Sequence, residues 1–298
     1  MKQIYGEYLA GWKPDLPDYR DFTLSHKDIA AATSKFGFKD SKDLPDCIDL
    51  RKWCPPIFDQ GNLGSCTANA GVSLLEYIEI KTRGKYIDAS RLFLYKVTRN
   101  LMHETGDAGA YLRKTMEAMV MIGIVPEEYW PYDISHFDKE PSAFCYAVAS
   151  NYKSLKYVSM DKATMALEDV LVQIKTVLAG GLAAIFGITM YDSISQSKTN
   201  GGKIPFPSDK ENIRGGHAMM AVGYNDSQII TNEVNGTQTR GAFLIRNSWG
   251  TQWGDTGYGW LPYEYVLTGL AQDWWTLIDA NWVDLTVFGK NAQQEDFF

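Results

Sequence analysis

Four cysteines in 298 residues are too few for the disulfide framework that staples a small secreted fold. Basic residues are also scarce, with 29 Lys and Arg against 36 Asp and Glu for a net charge of −7. Without a basic stripe, a nucleic-acid partner is excluded. The most apolar short stretch, Leu182 to Ile188, falls far short of the ~20 residues that a membrane-spanning helix needs. The opening Met1-Lys2-Gln3-Ile4-Tyr5-Gly6-Glu7 contains no apolar run and does not form a secretory signal. A soluble protein, cytoplasmic or released by a non-classical route, is the expectation. No internal repeat, low-complexity tract, metal-ligand spacing or phosphate loop is found, so no metal and no cofactor is implied. His26, His103 and His136 sit in polar surroundings and are expected at the surface.

What is present is a hydrophobic fraction of 45% in a chain long enough to bury about three quarters of its unfolded surface. Residues 1–43 are polar and turn-rich, with Pro14, Pro17 and Gly37, and read as an extension lying over a domain. The compact part begins near Leu44-Pro45. Apolar spacing predicts helices over about 65–81, 109–122 and 162–179, with Gly84, Gly123 and Gly180-Gly181 as stops. Short apolar runs over 182–188, 217–224 and 243–249 predict buried strands. A helical first half and a strand-rich second half make an α+β chain. The Pro- and Gly-containing stretch from Asp192 to Arg214 reads as a long loop bordering His217. Trp274, Trp275 and Trp282 are expected to complete the core, and residues 293–298 to fray. Cys47 and Cys54 are close enough in sequence to bridge, but reduced thiols fit the missing signal better. The glycosylation patterns at Asn225 and Asn235 are expected to be idle for the same reason.

Three separated clusters carry chemistry: Gln60-Gly61-Asn62-Leu63-Gly64-Ser65-Cys66, Gly216-His217-Ala218 and Arg246-Asn247-Ser248-Trp249-Gly250. A thiol reacts as its thiolate, and a helix N-terminus beside a protonated His lowers its pKa. Cys66 falls at such a position, with Ser65 as a cap. His217 opens an apolar strand and is placed to act as base. The Asn247 carbonyl can orient its ring, and Trp249 can shield that bond from water. Gln60 and the Cys66 amide can hold an oxyanion. Taken singly, each residue has a plainer reading: Cys66 as inert core, His217 as a satisfied structural His, Asn247 as a turn residue, Trp249 as core. The ordered set favours a cysteine-nucleophile hydrolase acting on protein or peptide.

These residues resemble the papain-like cysteine peptidases over roughly residues 44 to 290. The likeness rests on Leu44-Pro45-Asp46, the nucleophile block, Ala221-Val222-Gly223-Tyr224, Gly123-Ile124-Val125, Tyr129-Trp130-Pro131-Tyr132 and the run from Asn247 to Tyr258. His217 lies 151 positions beyond Cys66, close to the ~130–150 expected of the downstream partners. Asn247, at 181 positions, is farther, which a longer loop before His217 would explain. The resemblance implies two lobes flanking a cleft, a helical lobe over about 44–150 and an antiparallel, barrel-like β lobe over about 151–290, within a catalytic domain spanning 44–298. It implies a cysteine endopeptidase working through an acyl-enzyme, with Cys66, His217, Asn247 and Gln60 catalytic and Trp249 supporting. Gly109 aligns with a glycine whose backbone pairs with extended substrate. Ala110, Leu112, Gly215, Gly216 and Ala218 complete the substrate-binding candidates, and the character of Leu112, Gly215 and Ala218 suggests an apolar or aromatic pocket. Leu63 replaces a disulfide Cys, Thr67 an aromatic residue, Ala110 a glycine and Gly216 a polar residue, which points to the bacterial, archaeal or viral branch. Residues 1–43 are too short for the family's long helical propeptide. They are expected to act as a blocking segment that makes the chain a zymogen inhibited intramolecularly, with a strap on the back of the domain as the alternative. Competing functions are a transglutaminase-like acyl transferase or amidase using the same thiol, and a catalytically silent papain-shaped binding protein.

Overall fold

Cys66–Arg83 carries apolar residues on every side and folds as an 18-residue helix, α1, buried from Cys66 to Glu79. Gly84 ends it in left-handed backbone, φ 66°, and donates its N–H to the Ile80 carbonyl. The computed structural model describes residues 4–5, 8–16, 18–27, 29 and 36–282. Before α1 come the short strands β1 (Ile4–Tyr5), β2 (Tyr8–Leu9), β3 (Trp12–Lys13) and β4 (Cys47–Asp49). After it come α2 (Arg91–Leu101), β5 (Ala110–Tyr111), α3 (Leu112–Met121), α4 (Ala143–Ala149), β6 (Tyr152–Ser159) and α5 (Leu167–Ala179). The chain continues through β7 (Ala184–Tyr191), β8 (Ile213–Thr231), β9 (Gln238–Arg246), β10 (Tyr258–Pro262), α6 (Glu264–Leu267) and β11 (Ala271–Trp282).

Helix α1 packs against α2 and α3 on one side and against β7, β8 and β11 on the other, so it forms the seam between the two lobes. Seven antiparallel strands make one sheet in the order β10-β9-β8-β7-β11-β6, with β4 also paired to β8. The fold is α+β as expected, but among the described residues the sheet is open between β10 and β6 rather than a closed barrel. Trp274 and Trp275 are 0% and 1% exposed, and Trp274 stacks on Phe186 with ring centroids 4.0 Å apart. The Trp282 side chain and the tail 293–298 lie outside the described residues. All four cysteines are free thiols, and His26, His103 and His136 are exposed.

The three predicted helices and three predicted strands are present with shifted ends, whereas α2, α4, β6 and β11 were not foreseen. Arg91–Leu101 is interrupted by the polar residues Lys96, Thr98, Arg99 and Asn100, yet its cap was readable: Ser90 Oγ accepts the Phe93 amide at 3.1 Å. The stretch expected as a loop from Asp192 begins with a 3-10 helix over Asp192–Lys198.

Candidate functional site

Cys66 opens α1, where the first-turn amides have no helical carbonyl to bond. Ser65 does not cap the helix as its residue type suggested. Its hydroxyl instead meets Tyr132 Oη at 2.6 Å and accepts from Asn69 Nδ2 at 3.0 Å. Tyr132 in turn donates to the Gln60 carbonyl at 3.0 Å, tying the loop before Cys66 to the helix.

Strand β8 delivers His217 and Ala218, paired with Ile188 and Gly187 of β7. The Ala218 amide reaches the Cys66 sulfur, which places His217 beside the thiol. Asn247 follows the end of β9, and its Oδ1 lies 2.8 Å from His217 Nε2. The same Oδ1 accepts the Ser248 amide at 2.8 Å, which identifies it as the oxygen end of the side chain. His217 therefore donates from Nε2, and Nδ1 keeps the lone pair. That Nδ1 is buried with no hydrogen-bond partner among the described residues. Trp249 stacks on the His217 ring at 4.6 Å and 26°, and Trp253 meets Trp249 edge-on at 5.7 Å.

Gln60 is fully buried. Its Nε2 donates to the Leu63 carbonyl at 2.9 Å, and its Oε1 accepts from Ser248 Oγ at 2.6 Å. Ser248 thus orients Gln60 through its hydroxyl and Asn247 through its amide. Sequence reasoning gave it no role, although it lies inside the Asn-Ser-Trp-Gly run. Asp107 was also missed: its Oδ1 accepts the Gly64 amide at 3.0 Å and the Tyr95 hydroxyl at 2.6 Å. The Gly109 amide donates to that Tyr95 oxygen at 3.1 Å. The bridge couples the Gly64 and Gly109 loops next to Leu63.

The ionisation differs from the expectation of a lowered thiol pKa. Burial pushes Cys66 up to about 11, opposed by the amides of Ala218, Gly11, Thr67 and Cys66 itself. Burial also pushes His217 down to about 4, opposed by the Asn247 bond. Both directions favour the neutral thiol and imidazole.

The N-terminal segment contributes to that burial. Gly11 donates its N–H to the Gly216 carbonyl at 3.1 Å, and its own carbonyl accepts the Ala110 amide at 2.8 Å. Strands β3 and β5 pair in parallel, Trp12 opposite Ala110. Only bare backbone fits here: a Cβ on Gly11 would lie 2.0 Å from the Gly64 oxygen, and one on Gly109 would lie 2.3 Å from the Gly11 oxygen. Trp12, 6% exposed, lies over Gly187 and Gly216. Its Nε1 donates to Asp273 Oδ2 at 3.0 Å, and the same oxygen accepts the Asp15 amide at 3.0 Å. Arg113 of α3 holds the segment farther along, with ion pairs to Asp15 at 2.7 Å and Asp21 at 2.8 Å. Burial pushes Asp273 up to about 6 despite its two donors.

The structure thus gathers Cys66, His217, Asn247, Gln60 and Trp249 in one place. Gly109, Ala110 and Gly216 line the path of residues 11–12, and Ala218 adjoins the thiol. Gly215 pairs with Met190 in the sheet. Leu112 instead lies fully buried at the start of α3, within the core. Gly11, Trp12, Gly187 and Asp273 were missed, because each gains meaning only through partners distant in sequence. As assembled, the site holds a nucleophile, a base with a fixed tautomer and an oriented amide, the equipment of acyl transfer.

Comparison with known proteins agrees with this geometry. Residues 44–273 match the family model described as "Papain family cysteine protease". An "uncharacterized peptidase C1-like protein" of Acanthamoeba polyphaga mimivirus is 33% identical over 297 residues, covering 96% of this chain and 92% of the relative. The crystal structure of xylellain, a cysteine protease from Xylella fastidiosa, superposes with a TM-score of 0.71 at 31% identity, covering 92% of this chain and 96% of that one. The ragweed pollen cysteine protease Amb a 11, solved in its proform, shares the fold at a TM-score of 0.58 and 24% identity, covering 83% of this chain and 69% of that one.

Proposed function

Because the chain belongs to the papain family of cysteine proteases, we propose that it is an endopeptidase, held latent by its own residues 10–13. The observation that carries the catalytic reading is the 2.8 Å bond from His217 Nε2 to Asn247 Oδ1 beside the buried Cys66 thiol. With Nε2 committed to Asn247, Nδ1 takes the thiol proton as sulfur attacks the scissile carbonyl. The carbonyl oxygen becomes an oxyanion, which the Cys66 amide and Gln60 stabilise. Collapse expels the amine, which leaves with the proton from His217, and a thioester to Cys66 remains. A water then gives its proton to His217 and attacks the thioester, releasing the acid and restoring the thiol. Gly11 supports latency, since its N–H and C=O engage Gly216 and Ala110, backbone groups that an extended peptide would otherwise use.

Endopeptidase action is tested on peptides blocked at both termini, incubated with the full chain and with its Trp12→Ala variant. Internal cleavage, read by mass spectrometry, is expected. Cleavage restricted to the ends of unblocked peptides would show an exopeptidase instead. Replacing Asn247 by alanine removes the acceptor that fixes the ring and is expected to lower kcat about 100-fold, as slight misplacement of a catalytic group does. KM should change little. Steady-state kinetics of Asn247→Ala in the Trp12→Ala background checks both numbers.

A further inference from the structure

The run that supplies Asn247, Ser248 and Trp249 begins with Arg246, which the acyl-transfer steps do not use. Arg246 ends β9 and is 2% exposed. Its guanidinium donates in three directions. Nε meets Ser73 Oγ at 3.2 Å, Nη1 the Pro55 carbonyl at 2.9 Å and Nη2 the Pro56 carbonyl at 2.5 Å. Its Cζ also lies 5.1 Å from the centre of the Phe58 ring. None of these bonds goes to a carboxylate, so shape and donor number, not an ion pair, define the contact. Ser73 stands on α1, about two turns beyond Cys66. Pro55 and Pro56 open the segment that ends in Gln60, and neither has a backbone N–H with which to anchor itself. Farther along, the segment is tied to the stretch after β9. Phe58 accepts the Gly250 amide at 3.0 Å, and Gln60 donates its own amide to Ser248 at 2.9 Å. Arg246 therefore secures the end that proline leaves loose.

We propose that Arg246 is a positioning residue for acyl transfer, bracing the two halves of the oxyanion site against each other. This rests on the reading of Gln60 and the Cys66 amide as the oxyanion donors, and deepens it. The two donors belong to different pieces of chain: Gln60 to the proline-led segment, and the Cys66 amide to the start of α1. They act together only when each lies about 2.7–3.1 Å from the same oxygen. Ser248 and Leu63 aim the Gln60 side chain locally. Arg246 sets where that whole segment stands relative to α1, because one planar fork touches Pro55 and Pro56 on one side and Ser73 on the other. Lysine would keep the charge, but its single compact ammonium cannot reproduce a three-way fork.

The test uses the full chain carrying Trp12→Ala, with Arg246→Lys added. On a blocked peptide, kcat is expected to fall about 30-fold while KM stays within about 3-fold, as when a donor shifts slightly off the developing charge. Alkylation of Cys66 by iodoacetamide passes through no oxyanion, so its rate, read by peptide mapping, should stay within about 2-fold. A peptide aldehyde, whose adduct with the thiol places an oxygen in that site, should bind about 10-fold more weakly. In a Gln60→Ala background, Arg246→Lys is expected to lower kcat by no more than about 3-fold further, because the donor it places is gone. Ser73→Ala removes one acceptor, suits a helix interior and should show the same split at about 5-fold in kcat. That variant decides the matter if Arg246→Lys does not melt cooperatively. Unchanged kcat in the deciding variant would overturn the proposal. So would a parallel loss of turnover and alkylation, which marks a merely structural role, or an undiminished effect in the Gln60→Ala background. Gln60→Ala by itself separates the two ideas. A loss of about 100-fold there, beside a neutral Arg246→Lys, keeps the oxyanion reading and defeats the brace. Full activity in Gln60→Ala removes that reading and the brace with it.

Discussion

Replacing Cys66 by alanine in the Trp12→Ala chain is expected to reduce hydrolysis of a fluorogenic peptide by roughly 10⁵-fold or more, to the assay background. Nucleophile removal costs this much because the remaining groups cannot form the thioester, and oxyanion stabilisation alone recovers only a small part of the rate. Folding is expected to survive: a small buried side chain becomes a slightly smaller one, at a cost of about 1 kcal/mol. Matching circular dichroism spectra and a melting temperature within a few degrees would locate the loss in chemistry. Hydrolysis persisting at a tenth of the parent rate would exclude Cys66 as nucleophile, since no other described cysteine lies beside His217.

Trp12→Ala, made in an otherwise intact chain, is expected to raise peptide hydrolysis on the order of 100-fold. The substitution removes a Trp side chain that is 6% exposed and a hydrogen bond to the buried Asp273 carboxylate. Truncating such a side chain costs about 3 kcal/mol or more, and each 1.4 kcal/mol shifts an equilibrium about tenfold. Bias lost from the closed state appears as an increased fraction of open cleft. The thiol reports the same change independently. Under the N-terminal segment, burial holds Cys66 at about 11 and His217 at about 4, so at neutral pH both are uncharged. The thiolate exists above the thiol pKa, and alkylation of Cys66 in the intact chain should climb steadily as pH rises toward that value. Opening the cleft readmits water to both groups and reduces the desolvation that separates the two values. In Trp12→Ala, the midpoint of Cys66 alkylation is therefore expected to fall by one pH unit or more. Peptide mapping is needed, because exposed Cys47 also reacts. Unchanged turnover and an unchanged alkylation midpoint would show that residues 10–13 do not govern the site.

Much of the architecture was legible in local pattern. Apolar residues at helical spacing, Ala68, Val72 and Leu75, together with Gly84 marked α1, and short apolar runs marked β7, β8 and β9, because elements of a large core need apolar side chains on the faces they bury. Strands β6 and β11 escaped because they are interrupted by residues such as Lys153, Lys156, Gln272 and Asp273, which blur the alternation. Helix α2 escaped because its buried face includes Lys96, Thr98 and Arg99, polar groups paid attention only once their partners are known. Arg99, for instance, pairs with Asp138 at 2.7 Å, 39 positions away. The clustering of Cys66, His217 and Asn247 was anticipated from their order and neighbours. Asp107, whose contacts with Gly64 and Tyr95 link two loops beside Leu63, had no such signature.

Sequence alone therefore determined the chemical inventory: a thiol at a helix start, an imidazole at a strand and an amide to orient it, in a chain of net charge −7. Those properties live in residue identity and short-range spacing, where periodicity and chain order carry the information. Tertiary structure alone decided what lies against the thiol, which way burial moves its proton, and which carboxylate receives the Trp12 indole. The reason is separation along the chain: Gly11 meets Gly216, and Trp12 meets Asp273, so the cover over the site forms only when residues more than 200 positions apart come together.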